Sequence, residues 1–408
     1  MLNPVKTADF KKLDSFLSQL IKDQKAPGVV FLLYAKGTIK YLQKFGWQDL
    51  ENDVPIEFDT IFRIYSMTKP IITVALMMLF EAGKFELNNP ISKFIPKFKE
   101  MKVFVKEEDG KIITERLERE ITILDLFTHT SGLSYGLFED DPIDKLYNEK
   151  LAYEKLKSLS LEKGIQIISN IPLRFQPGKF FRYSFATDVL GRLIEILSGY
   201  PLDEFLEKRI FQPLEMTDTF FYVPKEKLNR FIKIYSYDEE SKIKLIDSPN
   251  VMERFTGNYR FLSGGSGLVS TTKDFFNFSL MFLNKGKFKE KQLLCSETID
   301  LITRNYLENN RTITDQALNR LIVESLLNLN EYGQGLGIRV RIKDSQELGI
   351  IGEHGWGGAA HTYYWVDPLN EVIGLFMTQV TFPHPSLDRT SLLPLAYEGL
   401  KISQMMNQ

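Results

Sequence analysis

The chain has 408 residues, 43% of them hydrophobic and 12% aromatic, enough to bury a large core organised as two or three lobes. Lys and Arg total 51 against 53 Asp and Glu, a net charge of -2, so the composition carries neither a nucleic-acid footprint nor a polybasic membrane patch and points to a small-molecule partner. Cys295 is the only cysteine, which excludes an internal disulfide, and with four histidines there is no Cys/His cluster of zinc-finger type, so neither metal nor cofactor is expected.

The first residues, "MLNPVKTADFKKLDSFLSQLIKDQ", lack the apolar run and cleavage site of a secretory signal. Phe10, Leu13, Phe16, Leu17, Leu20 and Ile21 recur at helical spacing, so the segment reads as an amphipathic helix of the fold. Next, "GVVFLLYAKGTIKYLQKFG" predicts two strands joined at a turn around Lys36 and Gly37, the first so continuously apolar that both its faces are buried. The most apolar run, "IITVALMMLF" from Ile71, is about half the length needed to cross a bilayer and predicts a buried core helix. No membrane segment is read, and a cytoplasmic location is expected.

The middle of the chain carries helix signals such as "ITILDLFTH" and "DVLGRLIEILSG", the latter stopped by Gly199 and Pro201. Two charged stretches, "VKEEDGKIITERLERE" and "IKIYSYDEESKIKLID", alternate apolar and charged residues around turns and predict exposed, solvated hairpins. Towards the end, "GLGIRVRI", "HTYYWVDP" and "EVIGLFMTQ" predict three more strands, followed by a helix over residues 389 to 402 packed on the sheet. The sheet is therefore split between the two ends, with a helical lobe inserted between.

Ser and Lys three positions apart share one face of a helix turn, and the pattern occurs four times: Ser66/Lys69, Ser160/Lys163, Ser241/Lys244 and Ser270/Lys273. Ser160 lies near a helix end and Ser241 in a charged hairpin, so both read as solvated. Ser270 lies where Ser270, Thr271 or Thr272 serves as an N-cap. Ser66 differs because it follows "TIFRIY" and opens the most apolar helix of the chain. Burial there would lower the lysine pKa from about 10.4 towards roughly 7 to 8, which a base for a serine hydroxyl requires. Local residues leave two readings open, a nucleophile and an N-cap serine, and Pro70 predicts a distorted first turn.

"IYSMTKPIITVALMMLFEAGKFELNNPISKFIP" resembles the serine β-lactamase-related family, which includes class C β-lactamases and DD-peptidases, and in particular its esterase branch, the family VIII carboxylesterases. The resemblance continues in order through "REITILDLFTHTSGLSYG", "PGKFFRYSFATDVLGRLIEILSG", "RIFQPLEMTDTFFYVP", "LSGGSGLVSTTKDFFNF" and "GEHGWGGAAHTYYWVDP". It implies an α/β fold of the α+β type: an antiparallel sheet flanked by helices, from residues 1–90 and 262–408, and a mainly α-helical inserted lobe, 91–261, with hairpin excursions. The site would lie in the cleft between them.

By motif, the resemblance makes Ser66 the acyl-accepting serine, Lys69 its lysine and Tyr183 of "YSF" the partner for proton traffic. Either Lys69 or Tyr183 then serves as base, and the sequence leaves that open. "WGG", Trp356 to Gly358, takes the place of the K-T-G strand, and the backbone N–H groups of Ser66 and Ala359 form the oxyanion hole. Trp356 stands where a lysine would attract a β-lactam carboxylate, and Phe185 stands where many members carry an amide. That combination favours small or medium carboxylic esters, and the expected partner is a small-molecule ester or amide substrate.

His361 is expected to border the substrate and narrow the cleft, and His354 to bring positive charge to the same strand, although a structural side chain is the common role of such histidines. "GGSGL" around Ser266 ends in Leu268 and is not a nucleophile elbow, and no P-loop, H-E-x-x-H or G-x-G-x-x-G motif occurs. The expected activity is ester hydrolysis through an acyl-serine. The alternatives are a penicillin-recognising enzyme of β-lactamase or DD-peptidase type, and a non-catalytic binding protein retaining the fold.

Overall fold

The computed structural model describes residues 8–402 apart from 139, 239–241, 248–251, 253, 258–259, 319–328, 345–348, 382–386 and 388. Helix α1 (Lys11–Lys22) buries Leu13, Leu17 and Leu20, the stripe its spacing predicts. Strands β1 (Gly28–Ala35) and β2 (Thr38–Asp49) then form a hairpin. Its two turn residues, Lys36 and Gly37, both have positive φ, 47° and 85°. This is the two-residue turn whose twist matches that of its strands.

The short β3 (Val54–Pro55) pairs with β2, and five further strands come from the far end of the chain: β4 (Tyr332–Gln334), β5 (Arg339–Arg341), β6 (His354–Gly357), β7 (Tyr363–Asp367) and β8 (Val372–Met377). Together they make one antiparallel sheet in the order β4-β5-β6-β7-β8-β1-β2-β3. The two ends of the chain join at β1 and β8, from Val30↔Met377 to Ala35↔Val372. Three of the five late strands are legible from apolar pattern. β4 is too short for that, and β6 has two glycines among its four residues.

Alternate residues of β1 serve different cores, as a period of two requires. Val29, Phe31 and Leu33 join Trp365 and Phe376 against α1 and helix α5 (Arg389–Gly399), which supplies Leu392, Leu393 and Tyr397. Val30 and Leu32 face a larger cluster that takes in Tyr364, Leu375 and Met377. Helix α2 (Thr68–Glu81) supplies Ile72, Val74 and Leu76 to that cluster, and helix α4 (Thr272–Leu283) supplies Phe275 and Phe278. Residues Thr68 to Met77 are all buried, the mark of a core helix, and α2 packs against helix α3 (Ala186–Ser198). Helix α3 stops at Gly199, which adopts the left-handed conformation at φ 76°.

The first charged hairpin, Lys102–Glu108 with Lys111–Arg116, is exposed as expected. The second, Tyr235–Tyr237 with Ile243–Leu245, departs from a simple solvated hairpin. Tyr235 is fully buried and its backbone pairs with Gln379 and Thr381. Asp247, just beyond it, is buried in a 2.9 Å ion pair with Arg63, whose guanidinium also lies 4.1 Å over the Phe231 ring. The charge there is neutralised inside the protein, as a buried carboxylate requires. Among the described residues no helix is long and apolar enough to cross a membrane.

Candidate active site

The site is built where two chain segments meet ahead of two helices. Phe62–Arg63 pairs with Val269–Ser270, and the first of these segments leads through the single 3-10 turn Tyr65–Met67 into α2. Tyr65, immediately before Ser66, has φ +41°, a left-handed backbone that costs a tyrosine on the order of 1 kcal/mol or more. Pro70 is the third residue of α2, within the first turn, where an N–H has no intrahelical acceptor to lose. The expected distortion is absorbed by the 3-10 turn, and α2 continues from Thr68 without a break.

Ser66 and Lys69 share one face of this helix start. The Lys69 side chain is completely buried, with Nζ 3.3 Å from Ser66 Oγ and donating to the Gly265 carbonyl at 2.8 Å. Tyr183, just before α3 and 117 residues along the chain, donates its hydroxyl to Ser66 Oγ at 2.8 Å. Lys69 Nζ also lies 4.4 Å over the Tyr183 ring. Ser66 Oγ is thus held between an amine and a phenol, while Ser66 itself stays half-buried.

Burial sets the protonation of both groups. Desolvation pushes the Lys69 pKa down, against the opposing pull of Tyr135 and Asp188. Desolvation pushes the Tyr183 hydroxyl well up, with hydrogen bonds from Ser66 and Trp356 working against it. Both shifts favour the neutral forms, an amine able to accept a proton and a phenol able to donate one.

The "WGG" strand closes the other side. β6 packs against the turn carrying Ser66, and Trp356, 7% exposed, stacks on Tyr183 with ring centroids 6.0 Å apart. Gly357 follows, half-buried. Gly358 donates its N–H to Thr362 at 2.7 Å. A Cβ on Gly358 would lie 2.5 Å from the Ile64 carbonyl, so the absence of a side chain is what lets this strand approach the Ser66 segment. Ala359 is next, exposed at the end of the strand.

The stack continues beyond Tyr183. Tyr135 lies 5.8 Å from it, Phe185 lies 4.4 Å from Tyr135 at 13°, and Tyr147 lies 5.8 Å from Phe185 at 8°. The floor of the site is therefore a run of aromatic rings, and Phe185 at 8% exposure is one of its interior members.

The two histidines read from the sequence behave as structural groups. His361 is buried in the β6–β7 turn at φ +58°, with Nδ1 2.7 Å from the Val380 carbonyl. His354 does not bring positive charge to the strand: it is buried against Phe282 with Nδ1 3.0 Å from the Gly352 carbonyl, and desolvation lowers its pKa.

Sequence reading passed over several participants. Tyr135 and Gly265 touch the site only through long-range contacts. His129, fully buried with its ring 4.8 Å from Tyr183, donates or accepts at Ser184 Oγ over 3.1 Å, and burial holds its pKa well below the usual value. A G-x-S-x-G pattern does occur, at Gly132 to Gly136, away from the Ser266 stretch. Its Ser134 is fully buried, bonded to Asp144 and Arg182, and lies in a loop rather than at a strand-to-helix turn, so it is no exposed nucleophile.

Two of the other S-x-x-K serines are spent locally. Ser160 caps the helix Leu161–Ile168. Ser241 lies outside the described residues. Ser270 bonds Thr219 at 2.8 Å, and its neighbour Thr271 caps α4. Among the described residues no group of three or more His, Cys, Asp or Glu side chains could hold a metal. A surface depression of about 860 Å³, lined by Thr303, Arg304, Tyr306, Arg341 and Gly352 among others, lies beside β5 and includes none of the site residues.

Comparison with known proteins places nearly the whole chain in one family. The family model described as "Beta-lactamase" matches residues 13–396. The chain belongs to that family. It is 30% identical over 279 residues to "Esterase EstB" of Burkholderia gladioli, covering 64% of this chain and 67% of that protein. It is 27% identical over 372 residues to "ML-236A carboxylate methylbutanoyltransferase" of Penicillium citrinum, covering 87% and 86%. The solved structure titled "EstCE1, a hydrolase with promiscuous acyltransferase activity" superposes with a TM-score of 0.77 at 24% identity, over 95% of this chain and 97% of that one. The Beta-lactamase family member described here therefore has the β-lactamase/transpeptidase-like fold of serine hydrolases, with esterases and acyltransferases among its homologues.

Proposed function

We propose that this protein hydrolyses small or medium carboxylic esters through an acyl intermediate on Ser66. The observation that carries the reading is the position of Ser66 Oγ, 2.8 Å from the Tyr183 hydroxyl and 3.3 Å from the Nζ of a fully buried Lys69. A serine is a weak nucleophile until a base takes its proton, and desolvation supports that base by shifting Lys69 towards its neutral form.

Ser66 Oγ attacks the ester carbonyl carbon as its proton passes to Lys69. The carbonyl oxygen becomes an oxyanion, for which the N–H groups of Ser66 and Ala359 are the donors in this reading. The carbon–oxygen bond to the alcohol then breaks, and the proton held by Lys69 returns through the Tyr183 hydroxyl to the leaving alkoxide. The step ends with an acyl-serine, a neutral lysine and a free alcohol. Water repeats the path in the opposite sense and releases the acid. Because Tyr183 is held protonated, its part is to relay a proton and Lys69 is the base.

Trp356, Phe185 and Tyr135 line this centre with aromatic surface, and Trp356 stands where a lysine would attract a carboxylate. That lining suits an apolar acyl or alcohol group, and β-lactam hydrolysis is expected to be weak or absent. The transferase relative supports acyl transfer to an acceptor other than water, for which an alcohol is the test case.

The test is turnover of a short p-nitrophenyl ester and of a chromogenic cephalosporin by the purified protein beside Ser66→Ala. Ester turnover that vanishes in the variant is the expected result, and added methanol should raise p-nitrophenol release if acyl transfer to alcohols is fast. No ester turnover, with Ser66 unlabelled by a fluorophosphonate probe, would overturn the enzymatic reading. Cephalosporin turnover exceeding that of the ester would replace it with the penicillin-recognising alternative.

A further inference from the structure

Lys69 has a second partner, and that partner leads to a buried acid. The peptide between Gly265 and Ser266 presents its carbonyl to Lys69 Nζ at 2.8 Å, while its N–H donates to Ser263 Oγ at 3.1 Å. The Ser263 hydroxyl in turn donates to Asp188 Oδ1 at 2.6 Å, and the Gly265 N–H reaches the same oxygen at 3.2 Å. Asp188 is completely buried in the first turn of α3, five residues after Tyr183, and its Oδ2 has no hydrogen-bond partner among the described residues.

The local sequence is shaped around this carboxylate. A Cβ on Gly265 would lie 2.6 Å from Asp188 Oδ2, and one on Gly264 would lie 2.7 Å from the Thr187 carbonyl. The paired glycines of "SGGSG" let the turn close onto the start of α3. An acid serving only its own helix would accept from the N–H groups of its first turn. This one accepts from the turn that holds Lys69.

The titratable and charged groups facing Lys69 are Tyr135 and His129 from the loop after the helix Ile123–Phe127, Tyr183 and Asp188 at the start of α3, and Arg254 from the segment before the Ser263 turn. Arg254 donates to Ser266 Oγ at 2.5 Å, and the Tyr135 hydroxyl lies 3.4 Å from the same atom. Asp188 is the acid of this set: burial raises its pKa, and the Ser263 hydroxyl, Lys69, the Gly265 N–H and Arg254 pull it back towards the carboxylate.

We propose that Asp188 is a positioning residue for the Ser66 site: through Ser263 and the Gly265–Ser266 peptide it aims the Gly265 carbonyl at Lys69, and its charge balances the ammonium that Lys69 becomes during turnover. The inference rests on the proposed function, in which Lys69 takes the serine proton. The peptide unit lies between donor and acceptor in the chain of hydrogen bonds, so each bond polarises the next. A fixed carbonyl dipole and a buried anion both favour the cationic lysine of the transition state over the neutral lysine of the resting site.

The test uses the full chain, with Asp188→Asn, Ser263→Ala and Ser263→Thr, and reads the pH profile of ester hydrolysis together with kcat and KM. Asp188→Asn keeps the shape and loses the charge. It is expected to lower kcat about tenfold with KM within about twofold, and to move the acidic limb of the kcat/KM profile to lower pH by about half a unit or more. The sign follows from the charge: without the anion, Lys69 loses its proton more easily. Ser263→Ala is expected to lower kcat similarly while the limb stays in place, since the charge remains, and Ser263→Thr should restore kcat.

A folded Asp188→Asn with parent kcat and a parent profile overturns the inference. If that variant does not fold, Ser263→Ala decides: parent-like kcat overturns the inference, and a loss rescued by threonine supports it. A parent that turns over no ester and leaves Ser66 unlabelled removes the proposed function, and this inference falls with it. A parent active on esters with both variants behaving like it leaves that function standing and removes Asp188 alone.

Discussion

Ser66/Lys69 and Ser270/Lys273 have the same spacing, both span the start of a long helix, and both adjoin one two-stranded ladder: Ser66 follows the strand Phe62–Arg63, and Ser270 ends the strand paired with it. Their surroundings differ in who satisfies the serine. At α4 the local groups do: Thr271 caps the helix, Ser270 bonds Thr219, and Thr219 bonds the buried Asp274 at 2.9 Å. Lys273 is half-exposed and stays outside this network. At α2 no side chain caps the helix, Lys69 is driven fully inside, and the hydroxyl of Ser66 meets Lys69 and a tyrosine from another element. Spacing places a serine and a lysine together, and the third partner decides whether they do chemistry or hold a turn.

Substitutions on the two sides should therefore separate cleanly. The largest expected effect is at Ser66: Ser66→Ala lowers kcat/KM for a short ester by at least about 10³-fold, whereas Ser270→Ala leaves it within about twofold. Lys69→Met is expected to cost on the order of 10³-fold and Tyr183→Phe about 10²-fold, while Lys273→Met costs nothing measurable in the same assay. A comparable loss at Ser270 or Lys273 would break the comparison.

The α4 side should instead respond in stability. Burial raises the Asp274 pKa to about 6, with the Asp218 N–H and the Thr219 hydroxyl opposing the shift. Between the ordinary carboxylate pKa near 4 and this value the folded protein binds the extra proton, so its stability rises as pH falls through the window. Asp274→Asn should remove a pH-linked term of about 2 to 3 kcal/mol, read as loss of that pH 4 to 6 dependence in denaturant midpoints relative to the parent. A slope unchanged in the variant would assign the term elsewhere. The smallest expected effect is Thr271→Ala, which loses the α4 cap and should cost about 1 kcal/mol in urea unfolding with ester turnover intact.

Legibility in the sequence followed the range of the contacts. The β1–β2 hairpin is written locally, in an apolar run and a turn pair that accepts positive φ, and α2 is written in its unbroken hydrophobicity. Lys69 could be singled out for the same reason, since burial of its helix carries it inside. Tyr183 and Trp356 were reachable only by motif, because a half-buried tyrosine in "FFRYSF" has no local feature that distinguishes it. Tyr135, Asp188 and Gly265 were missed because they come from two loops and the start of α3, which meet only after folding. The one available signal was the pair of glycines in "SGGSG", which marks a close backbone approach without naming what approaches. The Tyr235 hairpin misled for the converse reason: its charges resemble a solvated face, and the Arg63 that neutralises Asp247 lies 184 residues away.

The most direct test of the central claim is to quench the protein with acid during turnover of p-nitrophenyl acetate and map the acetyl group by peptide mass spectrometry. The expected result is an acetyl group on the Ser66 peptide of the parent, absent from Ser66→Ala and from the peptide carrying Ser270. An acetyl group that turns over on any other residue, or ester turnover that persists in Ser66→Ala, would contradict it.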